Sequence, residues 1–323
     1  MKKLAILTMS IIIFGQTFEG TSPAKKVEIH PKGWKPAEEI FQEMEEESAP
    51  SVKPYPYSDV DKNIPRSKIK THDGVAIIIA ISEYQNPDVP DVDFALNDAF
   101  AMRDYLTKTL GFKEENILFE INENATQAAF KRIFEAQLNN FVMPDGSSEV
   151  FVFYSGHGAP DPESKKAFFV PYDCDPSYAK QTGYSLDEFY GSLNRINAKH
   201  ITVVLDACFS GASEKGNLLG EISPIFITVE GPQAILENGT VFSSSSGEQV
   251  SSWHAEEAHG LFTYFFLKGL SGDADANRNK KITALELGDY LEEKVPYLAR
   301  RMHNREQMPQ RLGNQPDKIL VKY

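Results

Sequence analysis

Unbroken apolar runs separated by amphipathic stretches organise most of this 323-residue chain. Residues Val150–Tyr154 and Ile201–Leu205 are rich in β-branched and aromatic side chains and show no alternation of polar and apolar positions. Such runs are typical of strands buried on both faces, as in a parallel sheet. A last strand is predicted at residues 240–242.

Helical patterns lie between these strands. Apolar residues from Phe94 to Leu106 recur at helical spacing, and Thr126 is placed to cap a second helix that runs to Leu138. Ser185 opens a further helix, and Thr283 precedes a helix predicted over residues 284–295. Strands that alternate with helices predict an α/β fold, in which helices cover both faces of a parallel sheet.

Reactive side chains follow two of the predicted strands. His157 lies in the segment Tyr154-Ser155-Gly156-His157-Gly158, and Cys208 lies in Asp206-Ala207-Cys208-Phe209-Ser210-Gly211. Open α/β sheets bind ligands beyond the carboxyl ends of their strands, and an imidazole there can take a proton from a thiol. The amides of Gly158 and Cys208 are candidates to face a developing oxyanion. Taken singly, the cysteine also fits a small buried hydrophobe and the histidine a turn residue.

The spacing and order of these segments resemble a known family. His157 and Cys208 are 51 residues apart, and the blocks at 74–84, 96–99, 168–173 and 260–263 occur in the matching order. Residues from about 73 to 310 resemble the caspase-like cysteine peptidases (peptidase C14, clan CD), especially the bacterial metacaspase-like (orthocaspase-like) branch. The resemblance implies a three-layer sandwich around a mostly parallel sheet of about six strands, with strands at residues 74–84, 116–120 and 168–173. It also implies a cysteine endopeptidase whose Cys208–His157 dyad requires no cofactor.

Residues around the cysteine predict the substrate class. Asp206 stands where caspases that cleave after aspartate carry Gln and where metacaspase-like enzymes carry an acidic S1 residue; by the same resemblance Asp98 is a second S1 acid. Ser252 and Trp253 resemble the substrate-binding strand of caspases, with His254 in place of its Arg. Carboxylates favour Arg or Lys at P1. Two other interpretations stay open: Asp206 as a strand-end acceptor, and Asp98 as a helix-start carboxylate.

The N-terminal region differs in composition from the rest of the chain. Residues 1–20 combine a basic start with a short apolar run and are predicted to be a signal peptide, which implies export to the periplasm or the extracellular space. Residues 21–71, rich in Pro, Glu and Lys, are predicted to be a linker or pro-segment, and residues 72–323 the peptidase domain. Arg66, Lys68 and Lys70 are candidate self-processing sites in the linker, or ordinary solvated charges.

Composition and charge restrict the partners. The chain is 41% hydrophobic, which is enough for one large core. Its formal net charge of −13 argues against general binding of nucleic acid or anionic membranes. The apolar run near the N-terminus is too short for a stable membrane anchor. Protein or peptide substrates with basic P1 residues are the predicted partners, and the sequence leaves the oligomeric state open. Cys174 and Cys208 do not suggest a disulfide framework.

One segment, residues 275–286, resembles an EF-hand calcium loop. The candidate ligands are Asp275, Asn277, Asn279 and Glu286, for an activating or structural ion, but Lys280 stands where Gly is expected. A polar loop capped by Thr283 explains the same residues without metal. Two other functions stay open beside the peptidase: a catalytically silent caspase-fold binding or regulatory module, and a secreted calcium-binding protein.

Overall fold

A computed structural model describes residues 55–161, 163–164, 166–209, 212–213, 216–217, 236–246 and 249–323. The predicted signal peptide and residues 21–54 of the predicted linker lie outside the described residues. Within these ranges, no helix is long and apolar enough to cross a membrane.

The described strands and helices follow the alternation seen in the sequence. The strands are β1 (Val75–Ala80), β2 (Ile117–Ile121), β3 (Glu149–Ser155), β4 (Gly158–Pro160), β5 (Ala167–Phe169), β6 (Tyr184–Ser185), β7 (His200–Asp206), β8 (Ala212–Ser213), β9 (Gly216–Asn217), β10 (Gly239–Ser243), β11 (Trp253–His254), β12 (His259–Gly260), β13 (Lys281–Thr283), β14 (Gln310–Gly313) and β15 (Ile319–Lys322). The helices are α1 (Asp59–Lys62), α2 (Ala95–Lys108), α3 (Gln127–Phe141, with a π-helical middle at Arg132–Gln137), α4 (Ala179–Thr182), α5 (Leu186–Asn194), α6 (Leu261–Lys268, continued by a π turn at Gly269–Asp273) and α7 (Ala284–His303).

A central sheet of six strands has the order β14-β10-β7-β3-β1-β2. Every neighbouring pair is parallel except β10 and β14. From β1 the chain passes to β2 on one side and then to β3 on the other, which makes a topological switch point between β1 and β3. In sheets of this kind the switch point opens a crevice at the carboxyl ends of the strands, where ligands bind. The α/β fold predicted from the alternation of strands and helices is thereby confirmed.

Alternate side chains of the central strands pack against helices on opposite faces of the sheet. Ile77, Val152 and Val203 belong to the same buried cluster as Phe134 of α3 and Phe189 of α5. On the opposite face, Phe242 of β10 contacts Phe266 of α6, with ring centroids 5.5 Å apart. Burial on both faces explains why the sequences of β3 and β7 lack polar alternation.

Two sequence expectations are corrected by the structure. The strand at 240–242 forms as β10, but it is not the last strand, because β14 pairs antiparallel with it at the sheet edge and β15 follows. The four residues of β14 include a single apolar side chain, so hydrophobic patterning does not reveal this strand. Helix α7 ends at His303 rather than at residue 295, because it continues through Pro296.

Part of the predicted linker packs on the domain. We call residues 55–68 the N-terminal strap. The Tyr105 hydroxyl of α2 donates to the carbonyl of Val60 at 2.9 Å, and Lys268 of α6 pairs with Asp59 at 2.7 Å. At the other end of the strap, the amide of Lys68 donates to the carbonyl of Lys322 in β15 at 2.7 Å. The strap therefore contacts both helices that flank the site described below.

Candidate active site

His157 directly follows β3, and its ring orientation is fixed by a backbone carbonyl. Its Nε2 atom lies 2.6 Å from the carbonyl oxygen of Pro90. Because a carbonyl only accepts, Nε2 carries a proton, and Nδ1 is the nitrogen left to act as a base. Burial lowers the pKa of His157 to about 4, an effect that the bond to Pro90 partly offsets. The imidazole is therefore neutral at pH 7 and ready to accept a proton.

Two tyrosines hold the backbone and ring of His157. The Tyr84 ring stacks on the imidazole with centroids 5.1 Å apart, and the Tyr84 hydroxyl accepts from the His157 amide at 2.8 Å. The Tyr154 hydroxyl donates to the carbonyl of His157 at 2.6 Å. Tyr84 and Pro90 come from the connection after β1, so the histidine is positioned across the switch point. Sequence reasoning did not assign these roles to Tyr84 or Pro90.

Cys208 follows β7 and lines the same cleft as His157. The thiol side chain is buried, with the residue 7% exposed, and its Sγ accepts a hydrogen bond from the amide of Ser251. The amide of Gly158, predicted to face an oxyanion, donates to the carbonyl of Cys208 at 3.1 Å. Catalysis with this amide requires that bond to be exchanged, so the oxyanion role of Gly158 and Cys208 stays a prediction.

Asp206 and Asp98 both line the cleft that contains His157 and Cys208. Asp206 Oδ2 accepts from the hydroxyl of Thr263 at 2.7 Å and from its amide at 3.2 Å. These donors lie in the first turn of α6, where the helix dipole favours an anion. Burial raises the pKa of Asp206 to about 7, and the charge of Asp98 adds to the effect. Two carboxylates in one cleft make a site for a cation.

Gly260 leaves room between the two acids. A Cβ atom at this position would overlap Asp206 Oδ2 and lie 3.0 Å from Asp98 Oδ2. Any side chain at residue 260 would therefore occupy the space that faces both carboxylates. This steric requirement explains why Gly precedes the first residue of α6.

Asp98 has a partner that sequence reasoning missed. Its Oδ1 lies 2.8 Å from Nδ1 of His259, and the amide of Gly260 donates to the same oxygen at 3.2 Å. Burial raises the pKa of Asp98, and the contact with His259 partly offsets that effect. The only sequence signal was the position of His259 directly before the block at 260–263.

The predicted substrate-binding segment divides into residues that reach the cleft and residues that do not. Trp253 lines the cleft and packs edge-on against Phe94, with centroids 5.8 Å apart. Ser252, predicted to line the cleft, is wholly buried, and its amide donates to Gln307 at 2.9 Å. Its neighbour Ser251 lines the cleft instead, and the Ser251 amide donates to the Cys208 thiol. Successive residues of an extended chain point to opposite sides, which explains the one-residue difference.

The predicted calcium loop is built from bonds between side chains and backbone amides. Asp275 accepts from the amides of Asn279 and Lys280, Asn279 accepts from that of Lys281, and Glu286 forms a capping box with Thr283. Lys280 adopts a φ of +63°, so the turn forms without the expected Gly. Among the described residues, no group of three or more His, Cys, Asp or Glu is arranged to hold a metal ion. Calcium binding by Asp275, Asn277, Asn279 and Glu286 stays a prediction.

The surroundings of Cys174 differ from those of Cys208. It is buried, forms no disulfide, and contacts the hydroxyl of Thr182 at 3.2 Å. Burial raises its pKa to about 11, so the thiol stays protonated at neutral pH. Cys174 therefore provides an internal control for experiments on Cys208.

Comparison with protein families matches residues 73–320 to the caspase domain of the C14 peptidases. The chain belongs to the caspase-domain family. It is similar to metacaspase-7 of Arabidopsis thaliana, with 34% identity over 128 residues, which cover 36% of this chain and 30% of that protein. Among solved structures, caspase-1 from Spodoptera frugiperda aligns with a TM-score of 0.52 and 16% identity, covering 81% of this chain and 95% of that one. The second likeness shows the fold alone.

Proposed function

We propose that this caspase-domain protein is a cysteine endopeptidase that cleaves polypeptides after Arg or Lys. The observation that carries the proposal is the presence of two buried carboxylates, Asp98 and Asp206, in the cleft that His157 and Cys208 line. Buried carboxylates are costly without a cation, and a P1 guanidinium or ammonium supplies one. The same acids would repel a P1 aspartate.

The proposed reaction begins with proton transfer from the Cys208 thiol to Nδ1 of His157. The sulfur then attacks the carbonyl carbon of the scissile bond, and the carbonyl oxygen becomes an oxyanion that backbone amides stabilise. Collapse breaks the C–N bond, and His157 gives its proton to the leaving amine. Water, deprotonated by the same imidazole, hydrolyses the thioester and restores the thiol. Pro90 and Tyr84 keep the imidazole in one tautomer and one orientation throughout.

Fluorogenic peptides ending in Arg, Lys or Asp test the proposal. Wild-type protein is expected to cleave the Arg and Lys peptides and to leave the Asp peptide intact. Cys208→Ala is expected to abolish turnover, and Cys174→Ala to retain it. An Arg chloromethyl ketone is expected to label Cys208 alone. Absence of both turnover and labelling in wild type would favour the silent binding module and overturn the peptidase.

Self-processing is a second part of the proposal. Arg66, Lys68 and Lys70 are exposed in the strap and in the two residues that follow it. The backbone of Lys68 is held by Lys322, so cleavage there requires this part of the strap to detach. N-terminal sequencing of purified wild type and Cys208→Ala tests whether the protein cleaves itself. New N-termini at residue 67, 69 or 71 in wild type alone support self-processing, and identical termini contradict it.

Export from the cytoplasm is a third part of the proposal. It is supported by the basic and apolar composition of residues 1–20. Cell fractionation of the full chain checks it, with the processed protein expected outside the cytoplasm. A product that keeps Met1 and stays in the cytoplasm would contradict it.

A further inference from the structure

A buried cluster of three ionisable groups joins the N-terminal strap to the proposed S1 pocket. The Nδ1 atom of His259 lies 2.8 Å from Asp98, and its Nε2 atom lies 3.1 Å from Asp61 of α1. The side chains of His259, Asp61 and Asp98 are 0%, 1% and 2% exposed. Because an ionised carboxylate only accepts hydrogen bonds, satisfying both acids requires two N–H donors. A neutral imidazole has one, so this geometry is that of an imidazolium ion.

The strap holds Asp61 firmly in this cluster. Its second oxygen, Oδ2, accepts from the amides of Tyr57 and Ser58 at 2.8 and 2.9 Å, and the Ser58 side chain caps α1 in return. Asp61 thus uses one oxygen to build the turn of the strap and the other to bind His259. The docked position of the strap and the position of the His259 ring are therefore coupled.

The cluster lowers the free-energy cost of ionising Asp98 in the cleft. Asp98 and Asp206 are buried close to one another around Gly260, and two adjacent buried carboxylates oppose each other's ionisation. A cation beside Asp98 lowers the cost of keeping that acid charged. Burial alone would lower the pKa of His259, but hydrogen bonds to Asp61 and Asp98 raise it to about 9. The ring therefore stays charged at neutral pH.

We propose that Asp61 is a positioning residue for the S1 pocket, acting through His259 to keep Asp98 ionised and oriented toward a basic P1 side chain. The inference rests on the proposed function, because it assigns a role in binding a cationic P1 residue. Asp61 is separated from Asp98 by the imidazole and does not itself line the cleft. Recognition of the substrate would then depend on a segment that lies upstream of the matched caspase domain.

Other titratable groups surround the cluster without replacing Asp61. His254 lies opposite His259 in the β11–β12 hairpin, and burial lowers its pKa, so it stays uncharged at neutral pH. Asp206 of β7 is also an acid, and the charge of Asp98 raises its pKa. The hydroxyls of Tyr55 and Tyr105 lie on the strap side, and burial raises the pKa of both. His259 is thus the cation closest to Asp98 among these groups.

Asp61→Asn tests the role, with Asp59→Asn as the matched control on the same helix. Asp59 is exposed and pairs with Lys268 rather than with the cluster. For an Arg peptide, we expect Asp61→Asn to raise KM by roughly tenfold, the effect of losing one well-placed charge interaction, with kcat changed less than about twofold. The acid limb of its kcat/KM profile should move to higher pH, since loss of the cationic neighbour raises the pKa of Asp98, which then replaces Asp206 as the acid that limits binding. Asp59→Asn should match wild type in both readouts.

NMR of the His259 imidazole in the Cys208→Ala protein tests the coupling between Asp61 and His259 without relying on turnover. His259 is expected to carry protons on both ring nitrogens at pH 8 when Asp61 is present and to lose one when it is Asn. A wild-type His259 ring that titrates near pH 6.5, like a free imidazole, would overturn the inference, even if Asp61→Asn fails to fold. Unchanged KM and an unmoved acid limb in Asp61→Asn would also overturn it. Lack of wild-type turnover would instead defeat the proposed function, while the NMR result would still accept or reject the coupling.

Discussion

The amide of Gly158 donates a hydrogen bond to the carbonyl oxygen of Cys208 across 3.1 Å. The Cys208 thiol also accepts from the amide of Ser251, so two backbone amides next to the cleft are bound to Cys208 itself. A peptide that reaches the thiol must compete with the Ser251 contact, and an oxyanion that uses the Gly158 amide must displace the carbonyl of Cys208. Substrate binding and the local arrangement of residues 208 and 251 are therefore coupled, and four expected outcomes follow from the surrounding geometry.

Gly260→Ala should damage substrate recognition more than folding. The added methyl group would overlap Asp206 Oδ2, so one or both acids must shift. We expect KM for an Arg peptide to rise at least about tenfold, corresponding to the loss of one charge-assisted contact.

Gly191→Ala in α5 is the control, because its methyl would meet only Arg195, at 3.7 Å. That variant should keep wild-type kinetics and gain up to about 1 kcal/mol of stability, since Ala favours helix over Gly. Equal kinetics for the two variants would contradict the assignment of the pocket.

Asp206 should make the fold less stable as pH rises. Its pKa in the folded protein, about 7, is above the ordinary value of 3.8, so the folded state binds more protons than the unfolded state between these values. The free energy of unfolding therefore falls as pH increases from about 4 to about 7, by up to about 4 kcal/mol from this group. Asp206→Asn should be more stable than wild type at pH 8, and the difference should vanish near pH 4. Urea titrations at both pH values measure it; a constant difference would contradict the prediction.

Activity on Arg peptides should show an acid limb set by the pocket rather than by the catalytic histidine. Below about pH 7 Asp206 becomes protonated, whereas His157, with a pKa of about 4, stays neutral. We expect kcat/KM to fall roughly tenfold per pH unit below this limb, as for loss of one essential ionisation. Steady-state kinetics from pH 3.5 to 8.5 measure the profile. A limb centred near pH 4 would place the controlling group at His157 instead.

Tyr84→Phe should impair catalysis through the position of His157. The variant keeps the stacked ring but removes the hydroxyl that accepts from the buried His157 amide. An unsatisfied buried amide costs about 1–3 kcal/mol, and we expect kcat to fall while KM changes little. Tyr190→Phe is the control, because the buried Tyr190 hydroxyl has no hydrogen-bond partner in the described part of the chain. It should leave kcat and stability nearly unchanged. Similar losses in both variants would argue against a specific role for Tyr84.

The sequence predicts the elements whose signals are local. Unbroken apolar runs located β3 and β7, and cap residues at Thr126 and Thr283 marked where α3 and α7 begin. Because parallel strands end at one edge, the strand assignments also placed His157 and Cys208 at the same end of the sheet. Asp98 and Asp206 were found through the family resemblance, and both line the cleft.

Features that depend on tertiary packing could not be predicted from the sequence pattern. His259 and Asp61 are 198 residues apart, and nothing in either local pattern indicates that they meet. The strap is polar and rich in Pro, typical of a linker, but Val60 is buried and Asp61 has a partner in the domain. Strand β14 is an edge strand with partly exposed residues, so it needs no apolar run. In each case the partner, rather than the sequence of the segment, determines the structure.

The contacts of the N-terminal strap also bear on how the protein is produced for study. The caspase-domain match starts at residue 73, which is the natural choice for the first codon of an expression clone. Such a clone would retain Cys208 and His157, yet it would leave the buried imidazole of His259 with one carboxylate partner instead of two. A weakly active preparation beginning at residue 73 would then report the cloning boundary rather than the enzyme, and starting at residue 55 or earlier avoids the artefact.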